Sequence, residues 1–410
     1  WGETTSRLFT FAPVSASKLR IQVRDLDGQQ EGLPLYFRLT ELEAYAPTDF
    51  IDIGRVIYVQ VSSSETCTPS GIAALHDNSD KTYAAEHAIN GMYYDNLEHL
   101  GYAVPESFGL KNFKNTADIE INILRWWQHR IFRNSGVSAD GTEIYLDTDW
   151  LTSLQSTAYS DRITWIENAY EFIDQPGEWY LNRSESKLYY KPDGSMDGKS
   201  ATLPVTEQLL VFEGTENITF DGVKFEDTSW LTPNEIGYND AQSGTYAQHN
   251  GVWGDVPGAI ETHAAKNITI TNSELRNLGI GGIRIGNGSS DCAITNSAIH
   301  DISSSGIFIG NNTGHNHGYC DPGTDVTGVV VRNNYITRTG LDIFGSSAIC
   351  ALYTSDTVID HNEVCYTTYT GISLGWGWDW KNAPCSGNNT VSNNYLHDTG
   401  KTIHDGGSFY

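Results

Sequence analysis

Two aspartates have the residue type and the placement for acid–base chemistry. Asp342 lies in the stretch TRTGLDIFGSS and Asp405 in HDTGKTIHDGGS, and both stretches are insertions that lengthen otherwise short connections. Cleavage of a glycosidic bond needs two carboxyl groups, one as acid and one as base or nucleophile. Asp342 and Asp405 are therefore the predicted catalytic pair. The alternative is that both are turn aspartates that accept backbone N–H bonds.

Several aromatic and polar side chains are candidates for binding a sugar. Ring faces stack on the C–H faces of pyranosides, and Trp376, Trp378 and Trp380 alternate along one loop. For Glu261 the alternative is an ion pair with Arg284, which should lie beside it in the next repeat. The complete set of predicted substrate-binding residues is Trp127, His129, Glu261, Tyr353, Trp376, Trp378, Trp380 and Tyr410.

One short segment carries the donor atoms that metal ions prefer. His315 and His317 in GHNHGYCD could bind a metal together with Asp321. A His-x-His pair in a Gly- and Asn-rich loop is more often an ordinary polar loop, so no metal site and no cofactor are predicted. Binding of a calcium ion is kept as an alternative, because a negative surface needs a bridging cation to bind an acidic sugar.

The elements that must position these residues form a repeat in the second half of the chain. Six short segments share one alternating apolar pattern: FDGVKF, ITNSEL, ITNSAI, VRNNYI, IDHNEV and VSNNYL. A second element recurs about every 23 residues, as at Ile260, Ile283 and Ile307. Such a repeat is typical of a parallel β-helix, whose coils stack about 4.8 Å apart. Asp342 and Asp405 then lie on one edge, two coils apart, which favours an inverting mechanism.

Recurrent asparagines predict hydrogen bonds between successive coils. Asn272, Asn296, Asn333 and Asn393 occupy one position of the repeat. Stacked turn amides can bond to the next coil, so these four residues are predicted to form an asparagine ladder.

Cysteines and sequons indicate the compartment. Cys320 and Cys385 lie on two long loops at one edge, and a disulfide between them would indicate an oxidising environment. Cys292 alternates with Ile294 and is interpreted as a buried thiol. Six N-x-S/T sequons are potential glycosylation sites. The chain is expected to be extracellular, either secreted or at the cell surface.

The net charge restricts the possible partners. A formal charge of −26 repels nucleic acid and anionic membranes. No segment is long and apolar enough to span a bilayer. The abundant aromatic residues suit carbohydrate, so the expected partner is a polysaccharide or oligosaccharide, with neither nucleic acid nor membrane insertion.

Three regions are predicted along the chain. Residues 1–48 are interpreted as the C-terminal part of a discoidin-like β-sandwich, because RLTELEAYAP resembles the closing strand of such modules. Residues 50–215 are predicted to form a mixed β-rich subdomain packed on the helix, and 216–410 to form the β-helix. Further coils or another chain are expected after Tyr410, because a stack that stops within a coil leaves an apolar end. The predicted fold class is mostly β, a parallel β-helix (solenoid) preceded by β-sandwich-like segments.

The order of the motifs resembles a family of carbohydrate-active proteins. The hairpin signal PGEWYLNRSESKLYYKP is followed by ENITFDGVKFEDTSWL, by the coils with TGISLGWGW, and by HDGGSFY. This series resembles the secreted right-handed parallel β-helix proteins of glycoside hydrolase family 141, in the pectate-lyase-like superfamily. The resemblance implies a right-handed helix and a polysaccharide-active enzyme, with α-fucosidase or xylanase activity among those attributed to the family. Asp405 in HDGG matches a motif that recurs there.

Three functional hypotheses follow. The leading hypothesis is an extracellular glycoside hydrolase that uses the aspartate pair. The second is a polysaccharide lyase, which needs a base and a cation to neutralise a uronate, with Arg284, Arg332 and Arg338 as candidates. The third is a non-catalytic glycan-binding or structural surface protein.

Overall fold

The described part of the chain lies in one of two units. The computed structural model describes residues 88–89, 92–93, 100–104, 106–146, 164–247, 253–310, 325–375 and 386–410. The chain divides into units at 1–54 and 55–410, and all described residues belong to the second unit. The predicted discoidin-like segment at 1–48 lies outside the described residues.

Antiparallel strands precede the coils. Ala88–Ile89 (β1) pairs with Met92–Tyr93 (β2), and Trp179–Asn182 (β8) pairs with Lys187–Tyr190 (β9). A larger assembly, called the antiparallel sheet below, has eight strands. These strands are Leu100–Ala103 (β3), Glu120–Arg125 (β4), Gln128–Val137 (β5), Glu143–Leu146 (β6), Trp165–Glu167 (β7), Tyr238–Gln242 (β13), Thr245–Ala247 (β14) and Trp253–Asp255 (β15).

Three six-stranded parallel sheets, called A, B and C, form the coils. Sheet A contains Leu210–Glu213 (β10), Gly258–His263 (β16), Gly281–Gly286 (β19), Ile307–Gly310 (β22), Ile349–Leu352 (β26) and Ile372–Leu374 (β30). Sheet B contains Glu216–Asp221 (β11), Lys266–Thr271 (β17), Ala293–Thr295 (β20), Val330–Arg332 (β24), Val358–Asp360 (β28) and Thr390–Ser392 (β31). Sheet C contains Lys224–Thr228 (β12), Glu274–Leu278 (β18), Ala298–Ile302 (β21), Tyr335–Thr339 (β25), Glu363–Cys365 (β29) and Tyr395–His397 (β32). Val326–Thr327 (β23) and Thr354–Ser355 (β27) add a short parallel pair.

The coils stack in register, so each inward residue meets its counterpart in the next coil. Ile283 pairs with Ile260 and Ile307, and Ile349 pairs with Ile307 and Ile372. All five isoleucines are at most 1% exposed. Burial of one such side chain stabilises the fold by about 1.5–3 kcal/mol. The predicted mostly-β fold with a parallel β-helix is confirmed.

The continuous asparagine ladder lies one residue beyond its predicted position. Asn334 Nδ2 donates to Asn362 Oδ1 at 3.0 Å, and Asn362 Nδ2 donates to Asn394 Oδ1 at 2.9 Å. Asn296 and Asn333 share one exposed bond of 2.8 Å, but their backbones are left-handed, with φ of 52° and 56°. The prediction of bonded turn amides holds for Asn296 and Asn333, where the chain turns in a conformation that Asn tolerates. The continuous ladder is formed by the side chains at the following position, which point inward.

The first coil does not follow the predicted boundary at residue 216. Strand β10 already pairs with β16, so the coils begin at Leu210. The stretch between β12 and β16 leaves the coils and supplies β13, β14 and β15 to the antiparallel sheet, where β13 pairs with β5. This long-range pairing joins the mixed region to the coils.

Helices are few and short among the described residues. They comprise an α-helix at Thr232–Ile236 and 3-10 helices at Glu106–Phe108, Leu110–Asn112, Thr116–Asp118 and Tyr170–Phe172. None of these helices is long and apolar enough to cross a membrane.

Candidate active site

Both predicted catalytic aspartates lie on connections that run from sheet C to sheet A. Asp342 is in residues 340–348, which join β25 to β26, and Asp405 is in residues 398–408, which follow β32. Ile349 pairs with Ile372, and Ile372 pairs with Phe409, so the two connections are two coils apart. We call the row of these connections the C-to-A edge.

The antiparallel sheet packs against the C-to-A edge. Its turn between β4 and β5 contacts both insertions, since the backbone oxygen of Trp126 accepts a bond of 3.1 Å from the N–H of Asp405. The N–H of Phe344 donates to His129 Nδ1 at 3.4 Å. Gly345 approaches so closely that a Cβ there would lie 1.7 Å from Asp240 Oδ2. A glycine is therefore required at this contact.

Asp342 is exposed on this edge although protein surrounds its carboxyl group, and we call this part of the edge the concavity. Its side chain is reached by solvent, yet burial by the surrounding protein raises the pKa of its carboxyl group, opposed by a hydrogen bond from Ser303. The Asp342 backbone N–H donates to the backbone oxygen of Ser303 at 3.2 Å, which fixes the loop to the preceding coil. A raised pKa suits a carboxyl group that donates a proton at neutral pH.

Glu167, a carboxylate that sequence reasoning missed, faces the same concavity from β7. Trp165 Nε1 donates to its Oε2 at 3.0 Å, and Asn122 Nδ2 donates to its Oε1 at 2.9 Å. Burial raises the pKa of Glu167, the two hydrogen bonds oppose that rise, and repulsion by Glu120 and Asp342 adds to it. The only signal in the sequence is the alternation of Trp165 and Glu167 in WIE, which places both on one face of a strand.

His129 links the loop of Asp342 to Glu167. Its ring stacks on Phe344 at 4.8 Å between centroids and lies 5.3 Å from the ring of Trp165. Its Nε2 is 2.8 Å from Asn122 Oδ1, and burial lowers its pKa to about 3, opposed by a hydrogen bond to the Asp342 backbone. Because His129 is buried and neutral, it positions other groups and does not meet a substrate in this conformation.

Trp127 is also a positioning residue. It is half-buried, and its Nε1 donates to the backbone oxygen of Ala241 at 3.0 Å. Its neighbour Trp126 is 64% exposed at the tip of the same turn. The indole exposed at this turn is therefore that of Trp126.

Asp405 lies at the far end of the edge, beside a shallow pocket. Its side chain is exposed, and its backbone oxygen accepts a bond of 2.8 Å from the Tyr369 hydroxyl. Gln242 Nε2 donates to the same hydroxyl at 3.0 Å, so the antiparallel sheet also holds this end. The pocket is lined by Tyr369, Thr399, Gly400, Ile403, His404, Gly406, Gly407 and Ser408.

Three predicted binding residues, Glu261, Tyr353 and Tyr410, lie on sheet A or directly beside its strands. Glu261 is buried and forms an ion pair with Arg284, which also binds Asp255 at 2.7 Å. The ion-pair alternative for Glu261 is the one observed. Tyr353 is buried at 4% exposure, and Tyr410 is 48% exposed beside Ile372, to which its N–H donates at 2.8 Å.

Several predicted residues fall outside the described part of the chain. They are Trp376, Trp378, Trp380, the Cys320–Cys385 pair, and the segment with His315, His317 and Asp321. Cys292 is buried and free, in agreement with its interpretation as a core thiol.

One group of described residues has the donor set of a metal site. Atoms of Glu363, Cys365 and His397 all lie within 4.8 Å of one another on the outer face of sheet C. His397 is also held by Asp398 at 3.0 Å, and its pKa is raised by that bond and by Glu363. These hydrogen bonds account for the arrangement as a local polar cluster.

Comparisons with known proteins support the fold. Residues 258–409 match the family model described as the right handed beta helix region. With the three stacked parallel sheets, this match shows a right-handed parallel β-helix. No curated protein sequence matches the chain. Membership of glycoside hydrolase family 141 and the discoidin-like remnant stay predictions.

Solved structures give the same result. A structure described as a glycoside hydrolase matches with a TM-score of 0.63 and 23% identity, over 76% of this chain and 60% of that one. The chain thus spans about three fifths of that protein, and the likeness shows the fold alone. A complex of XylC with xylose matches at a TM-score of 0.30 and 13% identity, over 55% of this chain and 41% of that one. An alginate lyase from Paenibacillus sp. matches at a TM-score of 0.21 and 17% identity, over 45% of this chain and 74% of that one. Neither of the last two scores supports an argument.

Proposed function

We propose that the protein is an extracellular enzyme that hydrolyses glycosidic bonds of a polysaccharide at the concavity around Asp342. The observation that carries the proposal is a carboxyl group with a raised pKa, open to solvent and crowded by protein. A raised pKa is the direction that a general acid needs, because it favours the protonated form, and exposure lets the carboxyl group reach a substrate.

The surroundings of Asp342 suit a sugar. The rings of Trp165 and Phe344 lie 5.4 Å apart beside the carboxyl groups, and both are half-buried. Apolar ring faces with a few convergent polar groups are typical of carbohydrate-binding clefts. Asp405 and the exposed ring of Trp126 extend the same edge, so we assign them to contacts with a longer chain.

The arginines that a lyase would use are already engaged. Arg284 is held between Asp255 and Glu261, and its side chain is only 12% exposed. Arg332 binds Asp360 at 3.1 Å, and Arg338 binds Asp301. Neutralising a uronate would require breaking these ion pairs, so hydrolysis is favoured over elimination.

Product analysis on a panel of plant and algal polysaccharides tests the proposal. The wild type should release reducing sugar from at least one member, with no product that absorbs in the ultraviolet as an unsaturated uronate does. Asp342→Asn should lower kcat by roughly 100- to 10,000-fold, the range for general acid–base catalysis. Assays with added calcium and with EDTA test the cation that acidic sugars would require. Binding without cleavage across the whole panel would contradict the proposal.

A further inference from the structure

Glu167 comes from the antiparallel sheet, yet it shares a concavity with Asp342 of the coils. We propose that Glu167 is the second catalytic carboxylate and that it activates the water which attacks the bond protonated by Asp342. This inference rests on the proposed function. It makes the active site a composite of two regions that are distant in the sequence.

The hydrogen bonds of Glu167 hold it in one orientation. Each oxygen accepts an N–H bond, one from Trp165 at 3.0 Å and one from Asn122 at 2.9 Å. The amide nitrogen of Asn122 faces the Glu167 carboxylate, so the amide oxygen of Asn122 faces His129. The Nε2 of His129 therefore donates to Asn122 Oδ1 at 2.8 Å. A carboxylate that receives two donors is fixed in direction and favoured in its charged form.

The same chain of bonds ties Glu167 to the loop of Asp342. His129 Nδ1 is left to accept the N–H of Phe344 at 3.4 Å, two residues beyond Asp342. The rings of His129, Trp165 and Phe344 pack together at centroid distances of 4.8 to 5.4 Å. Movement of the loop would therefore displace the support of Glu167, so the two carboxyl groups are positioned as one unit.

The neighbouring charges separate the roles of the two carboxyl groups. Glu167 faces Glu120 and Asp342, and the charge of Glu120 is balanced by Arg183 at 2.7 Å. His129 is neutral and adds no charge. Repulsion between two nearby carboxylates favours the state in which only one of them is ionised. We assign the charge to Glu167, because two N–H groups donate to it, whereas Asp342 faces a Ser303 hydroxyl that can also accept a proton.

The reaction balances without a cofactor. The protonated Asp342 gives its proton to the glycosidic oxygen while the bond from that oxygen to the anomeric carbon breaks. A water adds its oxygen to the anomeric carbon, and Glu167 takes the proton that this water loses. Solvent then returns one proton to Asp342 and removes one from Glu167, which restores the enzyme.

Leaving-group dependence tests this assignment. Each variant is assayed on two substrates, the polysaccharide that the wild type cleaves and the 2,4-dinitrophenyl glycoside of its sugar. The variants are Glu167→Gln, Asp342→Asn and Asp405→Asn. The control is Glu143→Gln, which changes a glutamate on β6 of the same sheet. Glu167→Gln should lose roughly 100-fold or more in kcat on both substrates, because the water lacks its base in each case. Asp342→Asn should lose as much kcat on the polysaccharide but little on the dinitrophenyl glycoside, because dinitrophenolate leaves without needing a proton. Glu143→Gln should be unchanged on both substrates, and Asp405→Asn should lose less than Glu167→Gln.

A pH profile separates catalysis from a structural role. Trp165→Phe removes one donor that favours the ionised form of Glu167, so the pKa of Glu167 should rise. The acid limb of kcat/KM should move to higher pH by a measurable fraction of a unit. The inference would be overturned if the acid limb did not move, or if Glu167→Gln kept a kcat within a few-fold of the wild type. Neither result would contradict the proposed function. A wild type that cleaves no polysaccharide would overturn both.

Discussion

In the coils each inward residue meets its own counterpart one coil away, whereas residues of the C-to-A edge also meet partners from a distant part of the chain. Ile283 lies between Ile260 and Ile307, as the repeat requires. The loop of Asp342 instead meets His129, which comes from another sheet. The coils therefore supply stability by repetition, and the edge supplies a unique arrangement that the repeat does not contain.

The difference extends to the charged groups. Asp301 and Asp398 occupy one turn position of the repeat, each with a left-handed backbone and a neighbouring histidine bonded at 2.7 and 3.0 Å. Hydrogen bonds and nearby cations lower the pKa of Asp301 and of Asp398, although burial opposes the shift. At the edge burial has the opposite result and raises the pKa of Asp342. Carboxylates with a lowered pKa, such as Asp301 and Asp398, stay ionised and contribute to structure. A carboxyl group with a raised pKa, such as Asp342, is better suited to exchange a proton.

The largest expected effect separates stability from activity. Ile359 faces the core and is fully buried, while its neighbour Val358 on β28 is half-buried on the outer face. Ile359→Ala should lower the free energy of unfolding by about 2–5 kcal/mol and leave kcat unchanged, because it creates a cavity within the coils. Val358→Ala should cost less than about 1 kcal/mol. Urea denaturation measures both, and equal losses would contradict the inward and outward assignment.

A substitution at the edge should affect both properties. In Gly345→Ala the new methyl group meets Asp240 Oδ2 at 1.7 Å and the Trp127 backbone oxygen at 3.2 Å. We expect a loss of about 1–3 kcal/mol in unfolding free energy from overpacking, and a lower kcat because the loop of Asp342 shifts. Gly387→Ala is the matched control, since no atom lies within 4 Å of the added carbon. An active, fully stable Gly345→Ala variant would show that the close contact is not required.

The contact between the two regions should also make stability depend on pH. Burial raises the pKa of Asp240 to about 8 and lowers that of His129 to about 3. Between about pH 4 and 6.5 the folded and unfolded states bind equal numbers of protons at this pair, because the folded state protonates Asp240 and the unfolded state protonates His129. From pH 6.5 to 8 the folded state binds one more proton, so this pair lowers stability by about 1.4 kcal/mol per pH unit, about 2 kcal/mol in all.

Asp240→Asn provides the check on this linkage. The variant should lose the decline between pH 6.5 and 8. From about pH 3 to 6.5 it should instead become more stable as the pH rises, because only the His129 site of the unfolded state still binds an extra proton. Thermal unfolding across the pH range measures both slopes. An unchanged slope between pH 6.5 and 8 would show that Asp240 is ionised in the folded state.

The smallest effect concerns substrate binding alone. Trp126 and Trp179 are 64% and 62% exposed, but only Trp126 lies at the C-to-A edge. Trp126→Ala should raise KM for the polysaccharide roughly 2- to 12-fold, the loss of about 0.5–1.5 kcal/mol of stacking. Trp179→Ala should leave KM unchanged, and unfolding free energy should change little in either variant. Equal KM values for the two variants would remove Trp126 from the binding surface.

Much of this arrangement could be predicted from the sequence because the repeat is periodic. Alternation within FDGVKF, ITNSEL and their relatives determines which side chains point inward, and their spacing identifies the insertions at Asp342 and Asp405. The repeat also identified the turn asparagines, of which Asn296 and Asn333 are bonded to each other. The continuous ladder lies one residue further on, because the left-handed turn at Asn333 directs the next side chain inward.

The amino-acid sequence by itself determined the β-helix, the C-to-A edge and the place of Asp342 on it, since each follows from local alternation and a fixed period. Only the tertiary structure decided which groups face Asp342. Glu167 and Trp165 lie on β7, which pairs with the distant strand β4, and β4 forms a hairpin with β5, which carries His129. Long-range pairing of this kind leaves no period in the sequence. Desolvation, which raises the pKa of Asp342, likewise depends on atoms gathered from both regions and exists only once they pack together.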